Sequence, residues 1–212
     1  MRKTTLTVGK DSLVANVPLF WIHTLVIGSG AAGLNAAIQL FRNGIKDVLI
    51  LTEGLSKGTS INTGSDKQTY YKLSISGQEA DSPRMMAESF MTGGSMHGDL
   101  ALVEASLSAQ TFMNLVNLGV PFPHDQYGQY VGYKTDHDPR QRATSIGPYT
   151  SRAMCRQLIE EIRRLRIPLR EHREIVQLHT LESRGSRRIA GALAIDNQGR
   201  LEAYACENMI FA

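Results

Sequence analysis

An apolar run, a glycine-rich turn and a helix-like stretch follow one another early in the chain. Residues 25–27 are uninterrupted apolar sequence before Gly28, which predicts a buried strand. Residues 31–43 are rich in alanine and leucine and precede Gly44, a common helix stop, so they predict a helix. Residues 47–52 form a second apolar run without alternation, which is typical of a strand covered on both faces of a parallel sheet. The pattern therefore predicts a βαβ unit.

Later segments predict loops, helices and a final group of strands. Polar, irregular sequence predicts loops at 54–80 and 120–149. Apolar spacing predicts three helices: from Pro83 to about 91, from Asp99 as the capping residue to 118, and from 150 or 151 to Pro168. Further runs predict strands at 174–182, 189–196 and 201–212, with a hairpin turn at 197–199.

Composition and charge narrow the functional class. The chain has 212 residues and a formal net charge of +3, and its basic clusters at 163–173 and 183–188 contain no aromatic residues that could stack on bases. We therefore expect no nucleic-acid partner. No apolar run is long enough to cross a bilayer, and the N-terminus lacks the features of a secretory signal, so we expect a cytoplasmic protein without a membrane span. Cys155 and Cys206 show no metal-ligand spacing and are expected to be buried and reduced, and no metal site is expected.

The glycine-rich turn has the spacing of a dinucleotide-binding motif. Gly28, Gly30 and Gly33 match G-x-G-x-x-G, and the match lies between a predicted strand and a predicted helix. The first glycine allows the tight turn, the second lets the backbone approach a pyrophosphate, and the third lets helix and strand pack closely. The N–H groups of the first helical turn, which includes Ala31 and Ala32, would then contact the phosphates.

A carboxylate is expected about twenty residues beyond the motif, where it would bind the ribose hydroxyls of the nucleotide. Glu53 stands at this distance, directly after the second predicted strand. Its side chain could also point to solvent. Thr52 is the alternative ribose ligand.

Beyond the motif, the chain resembles a known family. The spacing from Gly28 to Ala37 and Gly44 is typical of the glutathione-reductase-type FAD-binding flavoproteins. Residues 24–212 resemble, more narrowly, the N-terminal part of the succinate dehydrogenase/fumarate reductase flavoprotein family, which includes L-aspartate oxidase and adenylylsulfate reductase. The segments that carry this likeness are VLILTEG, KGTSINTGSDK, LVNLGVPF and ENMIFA. The resemblance implies an FAD-dependent oxidoreductase.

These observations predict an α/β fold: a Rossmann-like FAD/NAD(P)-binding domain with a parallel sheet plus a C-terminal β-meander. We expect residues 1–23 to be an N-terminal tail and residues 24–212 to be the FAD-binding domain. Because the sequence ends within an expected core strand, we expect this domain to be truncated and inactive by itself.

The resemblance also implies further FAD contacts. Ser60, Thr63, Gly64 and Ser65 match the loop that lies along the pyrophosphate and reaches the flavin in relatives. Covalent members carry a histidine in this loop, near the position of Ile61, whereas this chain has none between His23 and His97, which implies non-covalent FAD. The chain also has Asp66 and Lys67 where relatives have glycines. Main-chain contact with the adenine is implied for Val176, together with Ile175.

The substrate side is left open by the sequence. His124, His137, Arg140, Arg142 and Arg152 lie where relatives line the substrate, and an arginine pair would suit a dicarboxylate. We nevertheless expect each of them to be a solvated surface residue, so the catalytic residues stay unknown. The implied partners are a small-molecule substrate (a dicarboxylate, a sulfur compound or an amino acid) and a redox partner protein.

Two other functions are compatible with the sequence. One is an NAD(P)-dependent dehydrogenase domain, although the Ala37/Gly44 extension and the long loop after the second strand favour FAD. The other is a non-catalytic FAD-binding fragment.

Overall fold

The computed structural model describes residues 2–8, 15–65, 68–77, 79–136, 138–183 and 185–212. The strands are β1 (Arg2–Val8), β2 (Ala15–Ile27), β3 (Val48–Leu51), β4 (Tyr70–Tyr71), β5 (Tyr133–Thr135), β6 (Asp138–Thr144), β7 (Leu169–Arg170), β8 (Arg173–Ser183), β9 (Ser186–Asp196) and β10 (Leu201–Phe211). The helices are α1 (Ala31–Arg42), α2 (Thr59–Asn62), α3 (Pro83–Thr92), α4 (Gly98–Asn117) and α5 (Thr150–Leu165). The chain forms two compact units, residues 1–62 with 158–212 and residues 63–157. Asp66, Lys67 and His137 lie outside the described residues.

The first unit contains a seven-stranded sheet in the order β7-β3-β2-β10-β9-β8, with β1 paired to β2. Strands β7, β3, β2 and β10 are mutually parallel, and helix α1 connects β2 to β3. The predicted βαβ unit is therefore present. Strands β8, β9 and β10 are joined by antiparallel pairing, which is the predicted β-meander.

The first unit contains a hydrophobic core that collects side chains from β2, β3, β9 and β10. Every residue of β3 is buried, as expected for a strand inside a parallel sheet. Helix α1 buries a face of small and branched side chains that includes Ala37 and Ile38. The buried core members are Phe20, Ile22, Leu25, Ile27, Leu49, Leu51, Ala192, Ala194, Tyr204 and Cys206.

The prediction of a tail over residues 1–23 is wrong for the described residues, which form strand β1 and the first part of strand β2. Strand β1 pairs antiparallel with residues 15–21 of β2, and β10 pairs in parallel with β2 from Leu19 onward. Val17, Phe20 and Ile22 are buried. Pro18, which breaks the apolar pattern in the sequence, lies within β2 opposite Thr5 of β1. Pairing with β1, and from Leu19 onward also with β10, holds this segment extended, although local sequence gives little sign of a strand.

The second unit combines helices α3 and α4 with a three-stranded sheet in the order β4-β6-β5. Helix α3 begins after Ser82, whose hydroxyl accepts the Met85 N–H at 3.2 Å, and Pro83 occupies the first helical position. An aromatic cluster of Phe112, Phe122 and Tyr70 packs beneath the sheet, with ring centroids 4.7 to 5.9 Å apart.

Three predictions of local structure are corrected. His97 is the N-cap of α4, and Asp99 lies in the first turn of the helix, where the helix dipole favours a carboxylate. The predicted loop at 54–80 contains α2 and β4. The predicted loop at 120–149 contains β5 and β6. These strands are short and lack clean alternation, so their partners, rather than local pattern, determine them.

Candidate functional site

The glycine-rich turn connects the carboxyl end of β2 to the first turn of α1. Gly28 has a φ of +108°, and a Cβ at this position would lie 1.7 Å from the carbonyl oxygen of Ala212. A Cβ on Gly33 would lie 2.4 Å from the carbonyl oxygen of Gly28. Neither clash can be relieved without moving backbone, so this turn requires glycine at both positions.

The N-terminus of α1 has the properties of an anion site. Gly30 is the N-cap residue and has no side chain to cap the helix, and the first turn contains no acidic residue. The Ala31 N–H donates to Ser60 Oγ at 3.3 Å, so Ser60 lies against the same helical turn. A Cβ on Gly30 would meet Ser60 Oγ at 3.3 Å. The position of Gly30 is therefore open on one side, and the helix dipole favours negative charge there.

The Thr52 hydroxyl is engaged inside the protein. Thr52 Oγ1 lies 2.7 Å from Ser29 Oγ and accepts the Gly54 N–H at 3.2 Å. Ser29 and Thr52 are both buried. This arrangement places Thr52 against the glycine-rich turn rather than toward a ribose. Ser29 was not singled out from the sequence, because it occupies a variable position of the motif.

The Glu53 side chain is exposed at the end of β3, where a ribose could reach it. Its backbone carbonyl accepts the His172 N–H at 3.3 Å. Just beyond, the Leu55 N–H donates to Glu171 Oε1 at 2.9 Å. The Glu53 backbone is thus held by His172, while its side chain is exposed. No sequence signal marked Glu171.

Val176 lies at an irregularity in strand β8. Its neighbours Ile175 and Gln177 pair with Ala194 and Leu193, two consecutive residues of β9, so Val176 has no paired residue opposite it. The Val176 side chain is half exposed. This position leaves its main chain at an edge of the sheet, the placement that main-chain contact with an adenine would need.

Thr63, Gly64 and Ser65 belong to the second unit. All three are exposed, and the Ser65 N–H donates to the Pro148 carbonyl at 3.2 Å. A Cβ on Gly64 would lie 3.2 Å from the Tyr149 ring. The segment therefore runs beside the turn that precedes α5.

Arg142 corrects the expectation of a solvated surface role. Its side chain is fully buried and donates to Asp81, Asp138 and Ser89. Burial disfavours the charged guanidinium, but the hydrogen bonds and charges of the two aspartates outweigh it, so the pKa of Arg142 is raised. Arg142 is a structural cation of the second unit. His124 is exposed, as expected, and Arg140 forms an ion pair with Asp81 at 3.7 Å.

A groove of about 1010 Å³ lies on a face of the sheet in the first unit. Trp21 and His179 are among its lining residues, and it is lined by β2, β8, β9 and β10 but not by the glycine-rich turn. This groove and the helix N-terminus beside the glycine-rich turn are therefore different places. We assign the candidate site to the turn, because a helix N-terminus favours bound anions, whereas the volume of the groove does not indicate a ligand chemistry.

The described residues also bear on membrane spanning and on metal binding. None of the described helices is both long and apolar enough to cross a membrane. Within the same residues, histidine, cysteine and acidic side chains form no group of three or more that could hold a metal ion. Cys155 and Cys206 are buried thiols, and burial raises the pKa of Cys206.

Known proteins resemble this chain in sequence. A family model described as "FAD binding domain" matches residues 23–212. The fumarate reductase (cytochrome) of Shewanella frigidimarina is 31% identical over 96 residues, which cover 45% of this chain and 17% of that protein.

Solved structures share the fold. Mycobacterium smegmatis Sdh1 in complex with UQ1 matches with a TM-score of 0.78 and 20% identity, covering 92% of this chain and 34% of that one. An open conformation of a flavocytochrome c3 fumarate reductase matches with a TM-score of 0.74 and 18% identity, covering 91% and 33%. The chain thus spans about a third of the length of these structures. The predicted α/β, Rossmann-like fold is confirmed.

Proposed function

The chain belongs to the family of FAD binding domains, and on that premise we propose that it is the FAD-binding part of an oxidoreductase of the fumarate reductase/succinate dehydrogenase type. FAD is its cofactor, as predicted from the sequence. Bound FAD would supply a flavin ring that exchanges a hydride with a small-molecule substrate. The protein's own residues bind, orient and shield that group.

One observation carries this proposal: the N-cap residue of α1 is Gly30, which has no side chain, and this helix N-terminus lies at the carboxyl ends of the parallel strands β2 and β3. Ligands of open α/β sheets bind at this edge. The Ala32 N–H and other N–H groups of the first helical turn would donate to the phosphates, whereas the Ala31 N–H donates to Ser60 Oγ and would act through that hydroxyl. Gly28 and Gly33 keep the turn narrow.

We assign separate parts of FAD to separate residues. Glu53 would accept hydrogen bonds from the hydroxyls of the adenosine ribose, and the main chain of Val176 would contact the adenine. Ser60, beside Ala31, would donate to the pyrophosphate. Thr63, Gly64 and Ser65 would lie along the pyrophosphate and the flavin. FAD would be bound non-covalently, because the 54–65 segment contains no histidine.

The substrate, a dicarboxylate among the classes considered, and a redox partner protein belong to the same proposal. Of the matched proteins, Mycobacterium smegmatis Sdh1 is in complex with UQ1 and another is a flavocytochrome c3 fumarate reductase, which supports a redox role here. The protein is proposed to act in the cytoplasm. Catalytic residues stay unassigned, and Arg142 is not proposed as one because its donors are engaged by Asp81, Asp138 and Ser89.

The alternative of an NAD(P)-dependent dehydrogenase is tested by competition. The purified protein is stripped of cofactor and titrated with FAD, whose flavin fluorescence falls on binding, and then with NADH. Saturable binding of FAD that NADH does not displace supports the proposal. Saturable binding of NADH with no response to FAD contradicts it.

A further inference from the structure

We infer that Ser29 and Thr52 form a positioning pair that fixes the phosphate-binding turn relative to Glu53 without contacting the ligand. The inference rests on the proposed function, because the ligand that it positions is the proposed FAD. It gives a positioning role to the Thr52 hydroxyl, which the sequence suggested as a ribose ligand. It gives the same role to the Ser29 hydroxyl, which the sequence analysis did not single out.

The two hydroxyls lie in one buried contact. Ser29 Oγ and Thr52 Oγ1 are 2.7 Å apart, and only 6% and 7% of the two residues are exposed. The Gly54 N–H donates to Thr52 Oγ1 at 3.2 Å. The Gly54 carbonyl oxygen lies 3.4 Å from Ser29 Oγ and 3.5 Å from Thr52 Oγ1. Three residues from two segments thus form a closed ring of polar atoms.

Each hydroxyl proton of this ring has an acceptor within the ring. One hydroxyl proton lies between Ser29 Oγ and Thr52 Oγ1, whichever of the two is the donor. The other hydroxyl then directs its proton to the Gly54 carbonyl, and the Gly54 N–H occupies a lone pair of Thr52. Both donor assignments leave neither hydroxyl proton for a ribose or a phosphate. The pair is therefore suited to positioning rather than to binding.

The ring joins the two segments that the dinucleotide would bridge. The Gly28 N–H donates to the Leu51 carbonyl at 2.9 Å where strands β2 and β3 end. One residue further along each segment, Ser29 meets Thr52. The next residues are Gly30, at the open helix N-terminus, and Glu53, with its exposed carboxylate. The hydroxyl pair therefore extends the link between β2 and β3 by one residue. Beyond this pair, one segment leads to the proposed phosphate contacts and the other to the proposed ribose contact.

The test measures FAD dissociation constants for the wild-type protein and five variants. The variants are Ser29→Ala, Thr52→Val, Thr52→Ser, Glu53→Gln, and Ser29→Ala combined with Glu53→Gln. We expect Ser29→Ala and Thr52→Val to weaken FAD binding by about tenfold, because each leaves a buried partner without its hydrogen bond. Thr52→Ser keeps the hydroxyl and should stay within about threefold of wild type. In the Glu53→Gln background, Ser29→Ala should cost less than about threefold, because the carboxylate that the pair positions is gone.

Circular dichroism and thermal unfolding verify that each variant is folded, and the Thr52→Val and Thr52→Ser comparison suffices if Ser29→Ala does not fold. Wild-type affinity in both Ser29→Ala and Thr52→Val would overturn the inference. So would a full tenfold cost of Ser29→Ala in the Glu53→Gln background, which would show that Ser29 acts independently of Glu53. A wild-type protein that binds no FAD would instead refute the proposed function and this inference with it.

Discussion

The Arg142 guanidinium forms a two-point ion pair with Asp81, from Nε to Oδ2 at 2.8 Å and from Nη2 to Oδ1 at 2.7 Å. The same guanidinium donates to Asp138 at 3.2 Å and to Ser89 at 2.8 Å. Strand β6, the segment before α3 and α3 itself are thereby joined through one buried cation. Bidentate pairs of this kind fix geometry as well as charge.

Replacing Arg142 should destabilise the protein strongly. Arg142→Met leaves the carboxylates of Asp81 and Asp138 buried without their main cation, a change that typically costs about 3–5 kcal/mol. Urea-induced unfolding followed by circular dichroism measures this loss. The matched control is Arg84→Met, which removes an exposed ion pair with Glu88 in the same unit and should cost less than about 1 kcal/mol. Equal losses in the two variants would contradict a structural role for Arg142.

The same ion pair predicts a dependence of stability on pH. Burial opposes ionisation of Asp81, but hydrogen bonds from Arg142, Ser74 and Ser82 outweigh it, so the pKa of Asp81 is lowered. A lowered pKa in the folded state contributes stability that is complete above the unfolded-state pKa of about 3.9. This stability is lost as the pH falls through the lower, folded-state pKa.

We therefore expect the free energy of unfolding of the wild type to fall steeply below about pH 4. Asp81→Asn should be less stable at neutral pH and should show a shallower fall below pH 4, because it lacks this titrating carboxyl. The measurement is urea unfolding at a series of pH values. Parallel curves for the two proteins would exclude Asp81 as the source of the acid sensitivity.

Alanine substitutions of Gly30, the N-cap residue of α1, and of Gly33, in the first turn of α1, should have different effects. Gly33→Ala places a Cβ 2.4 Å from the Gly28 carbonyl, so it should lower stability and FAD binding together. Gly30→Ala meets only the Ser60 hydroxyl at 3.3 Å, so the fold should survive while the methyl group obstructs the phosphate. Thermal unfolding and FAD titration separate the two effects. A Gly30→Ala variant that binds FAD normally would contradict the assigned phosphate position.

Glu53→Gln should weaken FAD binding by about tenfold or more, because an amide is a poorer acceptor for two ribose hydroxyls than a carboxylate. FMN, which lacks the adenosine, supplies the control ligand, and its affinity should be unchanged. Glu207→Gln, another exposed carboxylate of the first unit, is the control variant and should bind FAD as the wild type does. Identical FAD affinities of wild type and Glu53→Gln would leave the ribose assignment without support.

The sequence predicted the βαβ unit, the meander and a dinucleotide site because these depend on local patterns: apolar runs, a helix stop and three spaced glycines. The resemblance to a known family then implied FAD as the dinucleotide. The local patterns failed for β1 and the first half of β2, which pair with each other across an interrupted apolar run around Pro18, while β10 joins β2 only from Leu19 onward. Burial of Arg142 also escaped prediction. Its partners Asp81 and Ser89 lie 61 and 53 residues away in sequence, a separation that no local pattern spans.

The hydroxyl contact between Ser29 and Thr52 escaped for the same reason. Each residue has an ordinary explanation in its own segment, a variable position of the motif for Ser29 and a ribose ligand for Thr52. Only the fold brings the two oxygens within 2.7 Å. A local pattern can thus be recognised within its own segment, whereas a contact between two distant segments requires the structure.

The most direct test of the FAD assignment is an absorbance spectrum of the purified protein, repeated on the filtrate after denaturation and ultrafiltration. We predict flavin bands in the native sample that pass entirely into the filtrate, as expected for non-covalent FAD. Bands that stay with the denatured protein would contradict non-covalent binding. A sample that has no flavin bands, and that gains none after incubation with FAD and removal of the excess, would contradict the central claim that the glycine-rich turn at Gly28–Gly33 binds FAD.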